Sequence, residues 1–110
     1  MIEPTLTPFG IEGPKTFHTD DKFELDYLRQ IDTCIEWLKA KKIDRGINQL
    51  STSYGIKHII ERELNTYVSN GCFIAAVLFL GIPYKRISGS PNILIAISGT
   101  ELYKNDPNRG

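Results

Sequence analysis

The residues best suited to chemistry lie close together between positions 51 and 62. If a helix begins near residue 53, Tyr54 and His58 are four residues apart, and His58 and Glu61 are three apart. Residues at these spacings share one face of a helix. A carboxylate beside an imidazole orients the ring and stabilises the proton that the ring takes up, which makes the imidazole a stronger general base. The segment therefore predicts a polar face that contains Tyr54, His58 and Glu61.

One hypothesis for this face is a small hydrolase or transferase built around His58. The hydroxyl of Ser51, Ser53 or Tyr54 would then lie near the imidazole. The sequence has no G-x-S-x-G motif, and Ser53 and Lys57 are one residue further apart than S-x-x-K requires. Phosphate-loop and dinucleotide motifs are absent as well. We therefore expect no catalytic residue and no cofactor or metal, which leaves a recognition face or a merely solvated face as the alternatives.

Basic side chains make nucleic acid an alternative partner. Those considered are Lys57, Arg62, Lys85 and Arg86. Tyr84 lies beside the last two and could stack on a base. A standard helix-turn-helix is not expected, because the helix that would enter the groove, over 71–80, is apolar throughout. Binding through so few cations would be weak and sensitive to salt.

One sequence pattern resembles that of known proteins. The pattern is SYGxKHxxE over residues 53–61, followed by YVSNGxFIAA over residues 67–76. It is similar to short proteins of unassigned function from bacteriophages and other mobile elements, over about residues 53–81. The resemblance implies a small accessory protein that binds, inhibits or modulates a host defence complex rather than catalysing a reaction. The positions that it marks for testing are Tyr54, Lys57, His58, Glu61 and Asn70.

The charge distribution limits the kind of partner. The 110-residue chain carries 13 Lys and Arg against 13 Asp and Glu. One lysine faces four acids over residues 1–21, eight cations face six acids over 22–62, and four face three beyond. No segment has the basic excess that is typical of charge-driven nucleic-acid binding. We therefore expect a non-enzymatic protein whose partner, a host protein or a protein–nucleic acid complex, is recognised by shape and mixed polar contacts.

Two cysteines and the N-terminus indicate the compartment. Cys34 and Cys72 lie in predicted helices without C-x-x-C spacing, so we expect two buried thiols. A disulfide between them is a less favoured alternative, as is a zinc site with His18 and His58. The N-terminus lacks a signal-peptide pattern, and the longest apolar run, over 72–80, is about half a membrane span. These features predict a cytoplasmic protein with no membrane partner.

The apolar spacing predicts an α+β fold in a small single domain. Helices are expected over about 20–42, 53–68 and 71–80. The third is apolar on every side and is therefore expected to be central and enclosed, with a buried strand as the alternative. Residues 84–87 and 93–97, separated by a cluster of turn residues, predict a C-terminal β-hairpin.

The chain is expected to have three parts. Residues 1–18 are rich in proline and glycine, which predicts an extended arm that docks on the body or, alternatively, a disordered tail. Residues 19–99 form the helical core with the hairpin, and residues 100–110 form a flexible tail. The sequence leaves the oligomeric state open. Trp37 and Tyr103 are candidates for a homodimer surface, and the alternative for Trp37 is a place at the edge of the core.

Overall fold

The computed structural model describes residues 6–7, 10–11, 26–43, 46 and 52–97. These residues contain three helices and two short antiparallel hairpins, which confirms the expected α+β class. The helices are α1 (Tyr27–Lys39), α2 (Ser53–Leu64) and α3 (Asn70–Leu80). The first hairpin pairs β1 (Leu6–Thr7) with β2 (Gly10–Ile11), and the second pairs β3 (Tyr84–Arg86) with β4 (Ile93–Ile95).

The helix α3 is the centre of the fold, as its apolar sequence predicts. The Ser69 hydroxyl caps its N-terminus by accepting a hydrogen bond from the Cys72 backbone N–H at 3.1 Å. Gly81, in the left-handed region at φ 70°, ends the helix. Between these caps, α3 packs against α1, α2 and the first hairpin. The segment is thus a helix, and the alternative of a buried strand is wrong.

The enclosure of α3 is incomplete. Phe73, Ile74 and Val77 are fully buried, but the Phe79 side chain is 75% exposed. Leu78 and Leu80 are only partly buried. The expectation that α3 is covered on every side is therefore wrong for its last turn, where no described element packs over Phe79.

The helix α2 begins where expected and ends earlier. The Thr52 hydroxyl accepts a hydrogen bond from the Gly55 N–H at 3.3 Å and caps the first turn. Asn65 adopts the left-handed conformation, with φ 50° and ψ 49°, and ends the helix at Leu64 rather than at 68. Because the helix stops there, Tyr67 leaves the predicted apolar stripe and is 52% exposed.

The helix α1 ends earlier than expected. It begins at Tyr27 because Asp26, at φ −94° and ψ 21°, lies outside helical geometry. It ends at Lys39, three residues before the expected end. Residues 20–25 of the predicted helix lie outside the described part. The buried side of α1 holds Cys34 and Trp37, so Trp37 belongs to the core, which is one of the two places that the sequence left open for it.

A buried glutamine joins α1 to α3. The Gln30 amide nitrogen donates to Asp26 Oδ1 at 2.8 Å, and its Oε1 accepts from the Ser69 backbone N–H at 2.8 Å. Both polar ends of Gln30 are therefore satisfied, although the residue is 1% exposed. The start of α3 is positioned by this side chain from a different helix.

The C-terminal hairpin forms where predicted, with strands that end one residue (β3) and two residues (β4) earlier than expected. Tyr84, Lys85 and Arg86 of β3 face Ile95, Leu94 and Ile93 of β4, respectively. All three residues of β4 are buried, whereas Lys85 and Arg86 are exposed. Two isolated bridges connect this part of the chain to residues between α1 and α2: Leu94 of β4 pairs with Thr52, and Ile97, just after β4, pairs with Ile43.

The first hairpin approaches the second at Gly10. This glycine has φ 127°, and a Cβ atom there would lie 2.1 Å from the Pro91 carbonyl oxygen and 2.7 Å from Asn70 Nδ2. Only glycine permits this backbone conformation and this close approach. The described residues of the predicted N-terminal arm thus lie against α3 and the hairpin turn. The rest of residues 1–18 and the predicted tail at 100–110, with Tyr103, lie outside the described residues.

The two cysteines are buried side chains of the core. The pKa of the Cys34 thiol is raised to about 12, chiefly by burial and also by the nearby Cys72 and Glu61. Cys72 donates from Sγ to the Tyr27 carbonyl oxygen at 3.7 Å. Cys34 on α1 and Cys72 on α3 are thus free thiols that pack as small apolar side chains in the core.

Candidate functional site

The carboxylate of Glu61 is the centre of the candidate site. Its Oε1 lies 2.9 Å from His58 Nδ1. Its Oε2 lies 3.2 Å from Lys57 Nζ and also accepts the Val68 backbone N–H at 3.2 Å. Both oxygens are therefore used, and one side chain fixes two residues of α2 and the backbone that follows it. The predicted neighbourhood of His58 and Glu61 is present in the structure.

Lys57 is buried, although its position on the helix predicted a solvated side chain. The residue is 7% exposed, and its ammonium pairs with Glu61. The same nitrogen lies 5.4 Å from the centre of the Tyr54 ring and 5.2 Å from that of Tyr67. A counter-ion and two aromatic faces offset the cost of removing the ammonium from water. Lys57, a candidate cation for nucleic acid in the sequence, is therefore covered and not an open surface charge.

Three rings stand on the outer side of this ion pair. Tyr54 is 51% exposed and Tyr67 is similarly exposed, and the His58 side chain is 46% exposed. The Tyr54 and His58 rings meet edge to face, with centroids 4.5 Å apart and an interplanar angle of 86°. We refer to Tyr54, His58 and Tyr67, with Lys57 and Glu61 beneath them, as the aromatic face.

The polar atoms of the aromatic face have defined roles. A carboxylate accepts hydrogen bonds only, so the Nδ1 of His58 that faces Glu61 carries the proton. In the neutral ring, Nε2 is then an acceptor. The hydroxyls of Tyr54 and Tyr67 both donate and accept. The aromatic face thus offers apolar ring surface together with several hydrogen-bonding atoms of fixed orientation.

Tyr67 is the functional candidate that the sequence analysis missed. Its spacing from Ile60 and Leu64 matched the apolar stripe of a helix, so it was expected in the core. The signal that could have revealed it is Asn65, because asparagine is the residue other than glycine that most readily ends a helix in the left-handed conformation. The early end of α2 places Tyr67 over Lys57 instead.

The other predicted site residues lie on different parts of the molecule. Arg62 is exposed on α2, one residue after Glu61. Lys85 and Arg86 are exposed on β3, whereas Tyr84 is half-buried and packs against the core. Because the Lys57 ammonium is used by Glu61 and two rings, the nucleic-acid alternative has Arg62, Lys85 and Arg86 as its exposed cations.

Asn70 belongs to the interior. It is 4% exposed, and its Nδ2 donates to Asn92 Oδ1 at 2.8 Å. The side chain joins the first turn of α3 to the turn of the second hairpin, close to Gly10. This placement gives Asn70 a packing role and removes it from the surface that a partner could contact.

The hydroxyls proposed for catalysis are placed differently from one another. Ser53 is fully buried, and its Oγ accepts the Ile93 backbone N–H at 3.1 Å, so this side chain attaches the hairpin to α2. Ser51 lies outside the described residues, and Tyr54 contacts His58 through its ring. Within the described ranges, no group of three or more His, Cys, Asp or Glu side chains is arranged to hold a metal ion.

A second carboxylate on α2 joins this helix to α1. Trp37 Nε1 donates to Glu63 Oε1 at 2.8 Å. Lys41 Nζ lies 3.9 Å from the same oxygen and 4.5 Å from the centre of the Trp37 ring. The other oxygen, Oε2, is buried and has no hydrogen-bond partner. This cluster was not expected from the sequence, because Glu63 is 22 residues from Lys41 and 26 from Trp37.

Comparisons with protein-family models, curated proteins and solved structures find no match to this chain. Among the described helices, none combines the length and the apolar character needed to cross a membrane. The function must therefore be argued from the arrangement of the side chains.

Proposed function

We propose that the chain is a non-enzymatic binding protein that captures a partner protein through the aromatic face. The observation that carries the proposal is the Glu61 carboxylate, which contacts Lys57, His58 and the Val68 N–H together. It holds the His58 ring directly and keeps the Lys57 ammonium beneath the rings of Tyr54 and Tyr67. An exposed aromatic cluster on a rigid base is the arrangement that protein-binding hot spots use.

The fixed rings reduce the cost of binding. A side chain that is already held in one rotamer loses little freedom when a partner covers it. Tyrosine adds a large contact area with only two side-chain torsions and a hydroxyl that can form a hydrogen bond. Tyr54 and His58 support each other edge to face, and Lys57 lies against both tyrosines. The aromatic face is therefore prepared for contact before the partner arrives.

The charges indicate how the partner is recognised. The Lys57 and Glu61 charges neutralise each other beneath the rings, so binding by the aromatic face relies on ring contacts and hydrogen bonds. The resemblance to bacteriophage and mobile-element proteins supports a cytoplasmic host protein as the partner, alone or in a protein–nucleic acid complex. In this proposal, the chain inhibits or modulates a host defence complex by occupying its surface.

Capture from a bacterial host extract tests the proposal. The full chain is immobilised, and bound proteins are quantified by mass spectrometry for the wild type, for Tyr54→Ala/Tyr67→Ala and for Tyr27→Ala. Tyr27 is a partly exposed tyrosine on α1 and serves as the matched control. We expect the double variant to lose about tenfold or more of the specific partner, and the control to retain it. Equal capture by all three proteins contradicts the proposal, provided that their thermal unfolding is similar.

Nucleic-acid binding is distinguished by salt. The exposed Lys85 and Arg86 side chains on β3 are the observation that keeps this second candidate. If the protein partner is correct, the purified chain produces no mobility shift of DNA or RNA even at low salt. A shift that weakens steeply with salt and disappears in Lys85→Ala/Arg86→Ala would support direct nucleic-acid binding instead.

A further inference from the structure

A second surface, separate from the aromatic face, is an apolar groove between α1 and α3. The groove has a volume of about 570 Å³, and Leu6 of β1 forms part of its wall. A volume of this size accommodates several side chains or a small molecule. We refer to it as the α1–α3 groove.

The α1 wall of the groove is a helical stripe. Leu28, Ile31, Asp32 and Ile35 line it, at spacings of three, four and seven residues from the first. Such spacing places all four side chains on one side of the helix. Leu28 is 66% exposed, which is unusual for a side chain of its size on a helix with a buried face. This part of α1 thus presents apolar surface that no described residue covers.

The α3 wall repeats the same geometry. Ala75, Leu78 and Phe79 line it, at spacings of three and four residues from Ala75. Ala75 is small and forms a low point in the wall, while Phe79 projects at the rim. An exposed phenylalanine at the rim of an apolar groove is typical of an interaction surface. Both walls therefore offer the stripes that helices use to pack against one another.

We propose that the α1–α3 groove binds an amphipathic α-helix of a different protein. That helix carries apolar side chains at i, i+3, i+4 and i+7, which enter the groove, and a lysine or arginine that faces Asp32. A third helix between the two stripes covers Leu28 and Phe79 and completes a three-helix packing arrangement. This surface is independent of the aromatic face and does not rest on the function proposed above.

The charge of the groove selects the occupant. Asp32 is the charged residue among the lining side chains, and α3 carries no charged residue. The acids before and after Asp32 in the chain are paired, Asp26 with Arg29 and Glu36 with Lys39. Asp32 has no ion-pair partner among the described residues. A second copy of this chain, packed groove to groove, would bring another acid and more apolar surface but no cation. A basic amphipathic helix from a different protein matches both features.

Two synthetic helical peptides test this proposal. Both carry leucines at i, i+3, i+4 and i+7, and one position beside this stripe is lysine in one peptide and glutamate in the other. Fluorescence anisotropy measures their affinity for the full chain. We expect the wild type to prefer the lysine peptide by about threefold and Asp32→Lys to reverse the preference. Glu36→Lys makes the same change of charge one turn away, outside the groove lining, and is expected to keep the lysine preference.

Filling the groove tests the site itself. Ala75→Trp is expected to weaken the binding of both peptides by about tenfold or more, because the indole occupies the space of the incoming side chains. If this variant unfolds, Phe79→Ser serves instead, since Phe79 is exposed and contributes little to the core. Binding that is unchanged in the folded variant overturns the proposal. The same conclusion follows if neither peptide binds, or if Glu36→Lys reverses the preference as Asp32→Lys does.

A photo-crosslinking amino acid in place of Phe79 distinguishes the other occupants. A crosslink to the lysine peptide at the leucine stripe supports the proposal. A crosslink within the same chain assigns the groove to a segment of this chain and overturns the proposal. A crosslink to a second copy, together with a dimer in sedimentation, overturns it as well.

Discussion

Two glutamates on α2, separated by a single residue, use their carboxylates differently. Glu61 accepts from His58, Lys57 and the Val68 N–H, so each oxygen has a partner. Glu63 accepts from Trp37 at one oxygen, with Lys41 at 3.9 Å, and its other oxygen is buried without a partner. Both glutamates have a lysine that also lies on an aromatic ring.

The difference lies in the origin of the partners. The partners of Glu61 are within seven residues of it, so the network forms as soon as α2 and the turn after it are in place. The partners of Glu63 come from α1 and the residues just after it, 26 and 22 residues earlier for Trp37 and Lys41, so that cluster forms only when the two segments pack. The Glu61 carboxylate, with a partner at each oxygen, makes the surface around it rigid. The Glu63 carboxylate joins two helices instead, and its unpaired buried oxygen destabilises the fold.

The largest expected effect is the loss of the Glu61 carboxylate. Glu61→Ala leaves the buried Lys57 ammonium without its counter-ion, and we expect the free energy of unfolding to fall by about 3 kcal/mol in urea denaturation. Glu63→Ala is the matched control on the same helix. It loses the Trp37 hydrogen bond and the longer 3.9 Å contact with the buried Lys41, which keeps the Trp37 ring, but it also removes the unpaired oxygen, so we expect a smaller loss of about 2 kcal/mol. Equal losses would mean that the two clusters do not differ in energy as their contacts indicate.

Removal of the indole N–H tests the Glu63 cluster alone. Trp37→Phe retains an aromatic ring near Lys41 but leaves both oxygens of Glu63 without a donor. We expect a loss of about 1.5 kcal/mol, measured by the same denaturation method. If Trp37→Phe alone loses stability and Glu63→Leu/Trp37→Phe is as stable as the wild type, the loss comes from the carboxylate that is left without a donor. If the double variant loses at least as much stability as Trp37→Phe alone, the smaller volume of phenylalanine is the main cause.

The alkylation rate of the Cys34 thiol allows the effects of the two glutamates to be compared. Burial is the main reason that its pKa is raised to about 12, and the charges of Cys72 and Glu61 add to the effect. A raised folded-state pKa means that this contribution to stability is complete below the ordinary value of 9.0 and is lost as pH rises from there towards 12. We expect Glu61→Gln to accelerate alkylation of Cys34 more than Glu63→Gln does, with the two thiols resolved by mass spectrometry. Equal acceleration would contradict the influence of the Glu61 charge.

The smallest expected effect concerns the exposed carboxylate of Asp26. Hydrogen bonds from Arg29 and Gln30 lower the pKa of Asp26 below its ordinary value of 3.8. A lowered folded-state pKa gives stability that is present above 3.8 and is lost as pH falls below it. Asp26→Asn should flatten the acid limb of a plot of stability against pH and lower stability at neutral pH by the same small amount. An unchanged acid limb would show that this surface pair contributes nothing to folding.

Much of the local structure could be predicted from the sequence. The caps at Thr52 and Ser69 are hydroxyl residues directly before apolar periodic segments, and both are observed. The spacing of Tyr54, His58 and Glu61 also predicted their contacts, because helical geometry alone brings residues three and four apart together. These features depend on neighbours in the chain, which the sequence lists directly.

The errors occurred where a segment outside the helix or strand itself decides the outcome. Lys57 occupies a position that looks solvated on a helical wheel, but the segment after Asn65 folds back and places Tyr67 over it. Phe79 looks buried in an apolar run, but the described elements leave it exposed. Asn70 looks like a surface cap, but the hairpin turn at Asn92 covers it.

The sequence by itself determined the α+β class, the starts of α2 and α3, and the i to i+4 pairs along α2. Only the tertiary structure decided which polar side chains are buried and which apolar ones are exposed. The physical reason is that hydrogen bonds and caps act over a few residues, whereas burial depends on which other segment covers a given face. The aromatic face and the α1–α3 groove are both products of that second step, since one rests on a covered lysine and the other on an uncovered phenylalanine.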